Sequence, residues 1–130
     1  MKEKRIVYMI DDDVEDQEIF AETLCEIDAS IKCLNFFNGS EALNQLLAKG
    51  TVLPDFIFLD LNMPVMNGYE FLKEVKNHKE LTDLQMIIYT TSSEPKHKEQ
   101  AKKLGASSFI TKPSEMVELK RALGKIITVA

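Results

Sequence analysis

Apolar residues in this chain alternate between short unbroken runs and stripes at helical spacing. Ile6 to Ile10 is a continuous apolar run bounded by charge, the pattern of a strand buried on both faces. Ile31 to Phe37, Phe56 to Leu59, Met86 to Tyr89 and Ser108 to Thr111 read as four further strands. Between them, apolar residues recur every three or four positions, first as Ile19, Phe20, Leu24 and Ile27, then as Ala42, Leu43, Leu46 and Leu47. Phe71, Leu72 and Val75 mark a third helix, Lys96 to Leu104 a polar fourth, and Val117, Leu119, Leu123, Ile126 and Ile127 a fifth. Asp13 can cap the first helix, Asn38 with Glu41 the second, and Ser114 can open the last, while Gly105 is placed as a C-terminal stop. Five βα units in strict alternation predict a parallel sheet covered by helices on both sides, with no internal repeat.

In such a sheet the carboxyl ends of the strands share one edge, so residues far apart in sequence meet in one crevice. Four polar groups stand at those ends: Asp11-Asp12-Asp13, the stretch Asp60-Leu61-Asn62-Met63-Pro64, the pair Thr90-Thr91, and Lys112-Pro113. Right-handed crossovers in a short open sheet favour the strand order 2-1-3-4-5, which brings Asp11, Asp12 and Asp60 together. Three ionised carboxylates so close are unfavourable, so either some stay protonated or a divalent cation holds them. Oxygen donors without imidazole or thiolate favour magnesium over zinc. A carboxylate can itself attack phosphorus to form an aspartyl phosphate. Lys112 would then supply a second positive charge, and the Thr90 hydroxyl a hydrogen bond to a phosphoryl oxygen. Singly, an Asp or Thr at a strand end is more often a cap or turn residue. Their joint occurrence at strands one, three, four and five carries the chemistry.

At 130 residues the chain has the length of one domain, so the expected organisation is a single domain over residues 1–130 with no output domain. No apolar run approaches the length that spans a bilayer, and Met1-Lys2-Glu3-Lys4-Arg5 leads straight into a strand without a cleavage site; the expected location is cytoplasmic. A net charge of −5 argues against attraction to nucleic acid or anionic membrane. The charge is uneven, with six of the eight residues from Asp11 to Glu18 acidic and a basic stretch at Lys96, Lys98, Lys102 and Lys103 that reads as a solvated helix face. Cys25 and Cys33 are too few for a disulfide framework or zinc site and read as small buried residues. His78 and His97 read as surface residues.

Met9-Ile10-Asp11-Asp12-Asp13, Leu59 to Gly68, Ile88-Tyr89-Thr90-Thr91 and Gly105 to Pro113 together resemble the receiver domain of bacterial two-component response regulators, over essentially the whole chain. The resemblance implies a flavodoxin-like (βα)5 fold; chemotaxis receivers are a standing example of the 2-1-3-4-5 order. It implies Asp60 as phosphoacceptor, Asp12 and Asp60 as direct Mg2+ ligands, Asp11 acting mostly through water, and the Asn62 backbone carbonyl as a further ligand. It casts Lys112 as the family's lysine with a cis Lys112–Pro113 bond, and Thr90 with Phe109 as the switch, Phe109 turning inward when Thr90 moves to the phosphoryl group. Phe109 also reads simply as a core aromatic. The implied output surface is helix four, strand five and helix five. Thr91 and Asn67 depart from the common Ala and Asp, while Asn62 and Ser92 occupy positions that tune hydrolysis of the acyl phosphate. Asp13, outside the acidic pair, reads as a cap.

Three rival readings fit the residues less well. A haloacid-dehalogenase-type phosphatase would take Asp11 as nucleophile, but Glu15 occupies its Thr/Val position and the chain is short for that fold. A pseudo-receiver would have lost site residues, and all are present. A flavodoxin-like cofactor binder lacks its glycine-rich phosphate loop. The expectation is a stand-alone, chemotaxis-regulator-like phosphoacceptor rather than an enzyme. Its phosphoryl donor would be a sensor histidine kinase or histidine phosphotransfer protein, its output a protein contact or onward phosphotransfer. It would be a monomer or a phosphorylation-dependent dimer.

Overall fold

The computed structural model describes residues 5–63 and 65–129, so Met1 to Lys4, Pro64 and Ala130 lie outside the described residues. The elements run β1 (Ile6–Ile10), α1 (Val14–Ile27), β2 (Lys32–Phe36), α2 (Gly39–Leu47), β3 (Phe56–Leu59) and α3 (Gly68–Lys76). After a single 3-10 turn at Lys79–Leu81 come β4 (Gln85–Thr90), α4 (Pro95–Lys103), β5 (Ser108–Thr111) and α5 (Met116–Val129). All strand pairs are parallel, as the alternation of strands and helices predicts, and the order is β2-β1-β3-β4-β5, the one that the family resemblance implies. The 3-10 turn had no periodic signal because three residues are too few to show one.

Each inner strand is apolar on both faces because the sheet has a core on either side. From β1, Val7 and Met9 pack with Phe20 and Leu24 of α1 and Leu119, Leu123 and Ile127 of α5. Tyr8 and Ile10 point the other way, into a cluster with Ala42 and Leu46 of α2, Phe71, Leu72 and Val75 of α3, and Ala101 of α4. This period of two explains why β1, β3 and β4 read as unbroken hydrophobic runs. The edge strands β2 and β5 are only partly buried.

The helix starts follow the local chemistry. Asp13 accepts from the Asp16 N–H and Asn38 from the Glu41 N–H, while Asn67 and Glu70 form a reciprocal capping box. Gly105, at φ +103, ends α4 in a backbone region that a Cβ disfavours. Three expectations are corrected. Cys25 is exposed, because it falls on the outer side of α1 beside the buried Leu24. The last helix begins at Met116 rather than Ser114. Val117, counted with its apolar stripe, is 68% exposed because the stripe facing the sheet starts at Leu119.

Candidate functional site

The parallel ladder carries the functional residues to one place. The Asp11 N–H bonds to the Phe36 carbonyl at 3.0 Å, the Asp60 N–H to the Ile10 carbonyl at 3.0 Å and the Lys112 N–H to the Thr90 carbonyl at 2.6 Å. Each strand end is thus pinned by its neighbour, and side chains 101 positions apart in sequence touch. Gln17, buried on α1, donates from Nε2 to the carbonyls of Met9, Asp11 and Phe36, tying that helix to the ends of β1 and β2.

Carboxylate oxygens of Asp11, Asp12 and Asp60 lie within 4.8 Å of one another. Asp11 is fully buried, Asp60 nearly so, and Asp12 exposed at the rim. Burial pushes the Asp11 carboxyl up to about 6, against Lys112 and the Asp13 N–H, which pull it down. Burial raises Asp60 as well, opposed by Lys112, by the Thr90 hydroxyl and by the N–H groups of Leu61 and Asn62. The Leu61 N–H holds Asp60 Oδ1 at 2.9 Å, while Oδ2 faces Lys112. Although Thr90 is close enough to favour the Asp60 anion, no well-formed bond joins them, and its buried Oγ1 has no hydrogen-bond partner.

Lys112 reaches three carboxylates. Its Nζ lies 2.8 Å from Asp11 Oδ2, 2.7 Å from Asp16 Oδ2 and 3.9 Å from Asp60 Oδ2, and sits 5.4 Å from the centre of the Tyr89 ring. Burial acts against the ammonium, yet the bonds to Asp11 and Asp16 and the nearby Asp60 hold its pKa above the ordinary lysine value. The Lys112–Pro113 bond is trans, as no cis peptide bond occurs among the described residues. The cis expectation is therefore corrected: Lys112 makes all these contacts with the ordinary trans isomer.

Asn62 lies exposed in the β3–α3 loop, and its N–H favours the Asp60 anion. Phe109, half-buried, packs against the α2, α3 and α4 side of the core. Gly68, the first residue of α3, lets that helix approach the loop: a Cβ there would sit 2.6 Å from the Asp60 carbonyl oxygen and 2.9 Å from the Leu61 Cα. Sequence reasoning missed Asp16 and Gln17, whose placement depends on how α1 docks. It also missed His97, whose Nδ1 pairs with Ser92 Oγ and whose Nε2 lies 3.4 Å from Glu94.

The arrangement offers a buried carboxylate, an oxygen-only cation cradle, a lysine and a spare hydroxyl, a set suited to receiving a phosphoryl group. Comparison with known proteins agrees. The family model of the response regulator receiver domain matches residues 7–124. A protein-glutamate methylesterase/protein-glutamine glutaminase of Clostridium acetobutylicum is 35% identical over 128 residues, covering 96% of this chain and 35% of that protein. The chain thus spans about a third of that relative's length. The chemotaxis protein CheY4 of Vibrio cholerae superimposes with a TM-score of 0.80 at 28% identity, over 95% of this chain and 99% of that one. The phosphorylated cyanobacterial phytochrome response regulator RcpA matches with a TM-score of 0.85 at 23% identity, over 95% and 91% of the two chains, a likeness of fold.

Proposed function

Since this chain belongs to the response regulator receiver domain family, whose members are phosphoacceptor domains of two-component signalling, we propose that Asp60 takes up the phosphoryl group. The observation that carries this is the approach of three carboxylates within 4.8 Å beside a lysine 3.9 Å from Asp60. Asp60 Oδ2 attacks phosphorus, the bond from phosphorus to the donor breaks, and its electron pair leaves with the donor group. For a histidine donor that group is the imidazole, and for acetyl phosphate it is acetate. Oδ1 stays tied to the Leu61 N–H, which fixes the carboxylate's orientation.

Receiver domains bind Mg2+ at such an aspartate cluster, and the donor set fits, because the cluster presents only carboxylate oxygens. Asp12 and Asp60 would hold the ion directly, Asp11 through water, and the Asn62 backbone carbonyl would complete the protein's share. When bound, the ion neutralises charge on the phosphoryl oxygens. Lys112 contributes a second cation from the β5 side. The buried, unpartnered Thr90 hydroxyl supports a switch role, because it has a free proton for a phosphoryl oxygen. Its movement would open space that Phe109, half-buried on the neighbouring strand, turns to fill.

On this reading the domain is a phosphoacceptor regulator that catalyses only its own phosphorylation and dephosphorylation. The donor is a sensor histidine kinase or a histidine phosphotransfer protein, and the output is a protein contact or onward phosphotransfer. No helix among the described residues is long and apolar enough to cross a membrane. Incubation with Mg2+ and acetyl phosphate, borohydride trapping and peptide mass spectrometry test the assignment. Label is expected on Asp60 and lost in Asp60→Asn; label on Asp11 would overturn the reading.

A further inference from the structure

Lys112 leans away from Asp60. Two of its ammonium contacts are direct hydrogen bonds, at 2.8 Å to Asp11 at the end of β1 and 2.7 Å to Asp16 on α1, whereas Asp60 is 3.9 Å away. Asp16 lies in the first turn of α1 and outside the carboxylate trio. Its side chain is 32% exposed and that of Lys112 only 9%, so the pair is partly shielded from water. We infer that Asp16 is a positioning residue that holds the Lys112 ammonium on the α1 side of the crevice and thereby slows phosphoryl uptake. This rests on Asp60 being the phosphoacceptor.

The physical argument follows the ammonium's three donors. As Asp60 Oδ2 bonds to phosphorus and acetate departs from acetyl phosphate, charge collects on the phosphoryl oxygens next to Asp60. Lys112 stabilises that charge only by moving toward it, and the move breaks the Asp16 hydrogen bond. The Asp16 carboxylate also opposes the incoming anion. A purely structural role is the alternative, since an acidic residue in the first turn favours the helix dipole. Loss of that role would lower stability without speeding chemistry.

Asp16→Asn keeps the side-chain shape and removes the charge. Acyl-phosphate formation from acetyl phosphate, followed by intact-protein mass spectrometry, is expected to run roughly fivefold faster in this variant. In lysine-selective 15N spectra of the unphosphorylated protein, the Lys112 ammonium signal is expected to shift and its protons to exchange faster with water. A wild-type or slower rate, or an unmoved Lys112 signal, overturns the inference. The two possible failures look different. No label on Asp60 in the wild type overturns the phosphoacceptor reading and this inference with it, whereas labelled wild type with an unaltered D16N rate overturns the inference alone.

Discussion

At Asp11, burial pushes the carboxyl up to about 6, while the unfolded chain titrates it near 4. The folded state therefore binds this proton more tightly. Its contribution to stability is fully present below about pH 4 and is lost as pH rises through about 6. Asp60 is shifted in the same direction. Asp11→Asn, which removes the buried charge, is expected to raise the unfolding free energy at neutral pH by about 1–2 kcal/mol. It should also flatten the stability profile below pH 6, as measured by urea denaturation; an unaltered profile would contradict the raised value. A site that holds carboxylates together for function gives up stability in this way. Asp11, Asp60, Thr90 and Lys112 were legible because each ends a strand, and strand ends meet on one edge. Asp16 was not: it lies in an acidic run that reads equally well as solvated surface, and only the docking of α1 turns it toward Lys112.

Among the elements, the starts of α1 and α2 were legible, because capping is chemistry within four residues, whereas Ser114 does not open α5. Asp13 and Asn38 cap as the sequence indicates. The polar α4 likewise keeps its lysines exposed and buries only Ala101. The junction of β3 and α3 was less legible, since Gly68 owes its identity to the backbone it approaches. Gly68→Ala would place a Cβ 2.6 Å from the Asp60 carbonyl oxygen, so the loop or the helix must shift. The expected cost is about 1–3 kcal/mol of stability, with slower phosphoryl uptake as Asp60 is displaced. Chemical denaturation and the acetyl phosphate assay measure the two effects, and a variant within about 0.5 kcal/mol of wild type would sink the argument. Cys25 shows the converse: a small apolar residue next to a buried leucine reads as core, yet the helix turns it outward.

In the whole molecule, the two apolar clusters on either side of the sheet decide whether the crevice forms at all. Phe58 is fully buried in the α1 and α5 cluster, its ring 4.9 Å from that of Phe20. Phe58→Ala is expected to cost about 3–5 kcal/mol in urea denaturation. A loss under about 1 kcal/mol would mean that the cluster is not the core of this face. Because β3 carries Phe58 and ends one residue before Asp60, the same change should weaken phosphoryl uptake. The sequence by itself determined the alternation of strands and helices and which polar groups end the strands. Those follow from hydrophobic periodicity and capping, which act over a few residues. Only the tertiary structure decided that Lys112 sits nearer Asp16 and Asp11 than Asp60, that its peptide bond to Pro113 is trans, and that the Thr90 hydroxyl is left without a partner. The physical reason is that these are distances between elements, fixed to a few tenths of an ångström by close packing across the whole domain.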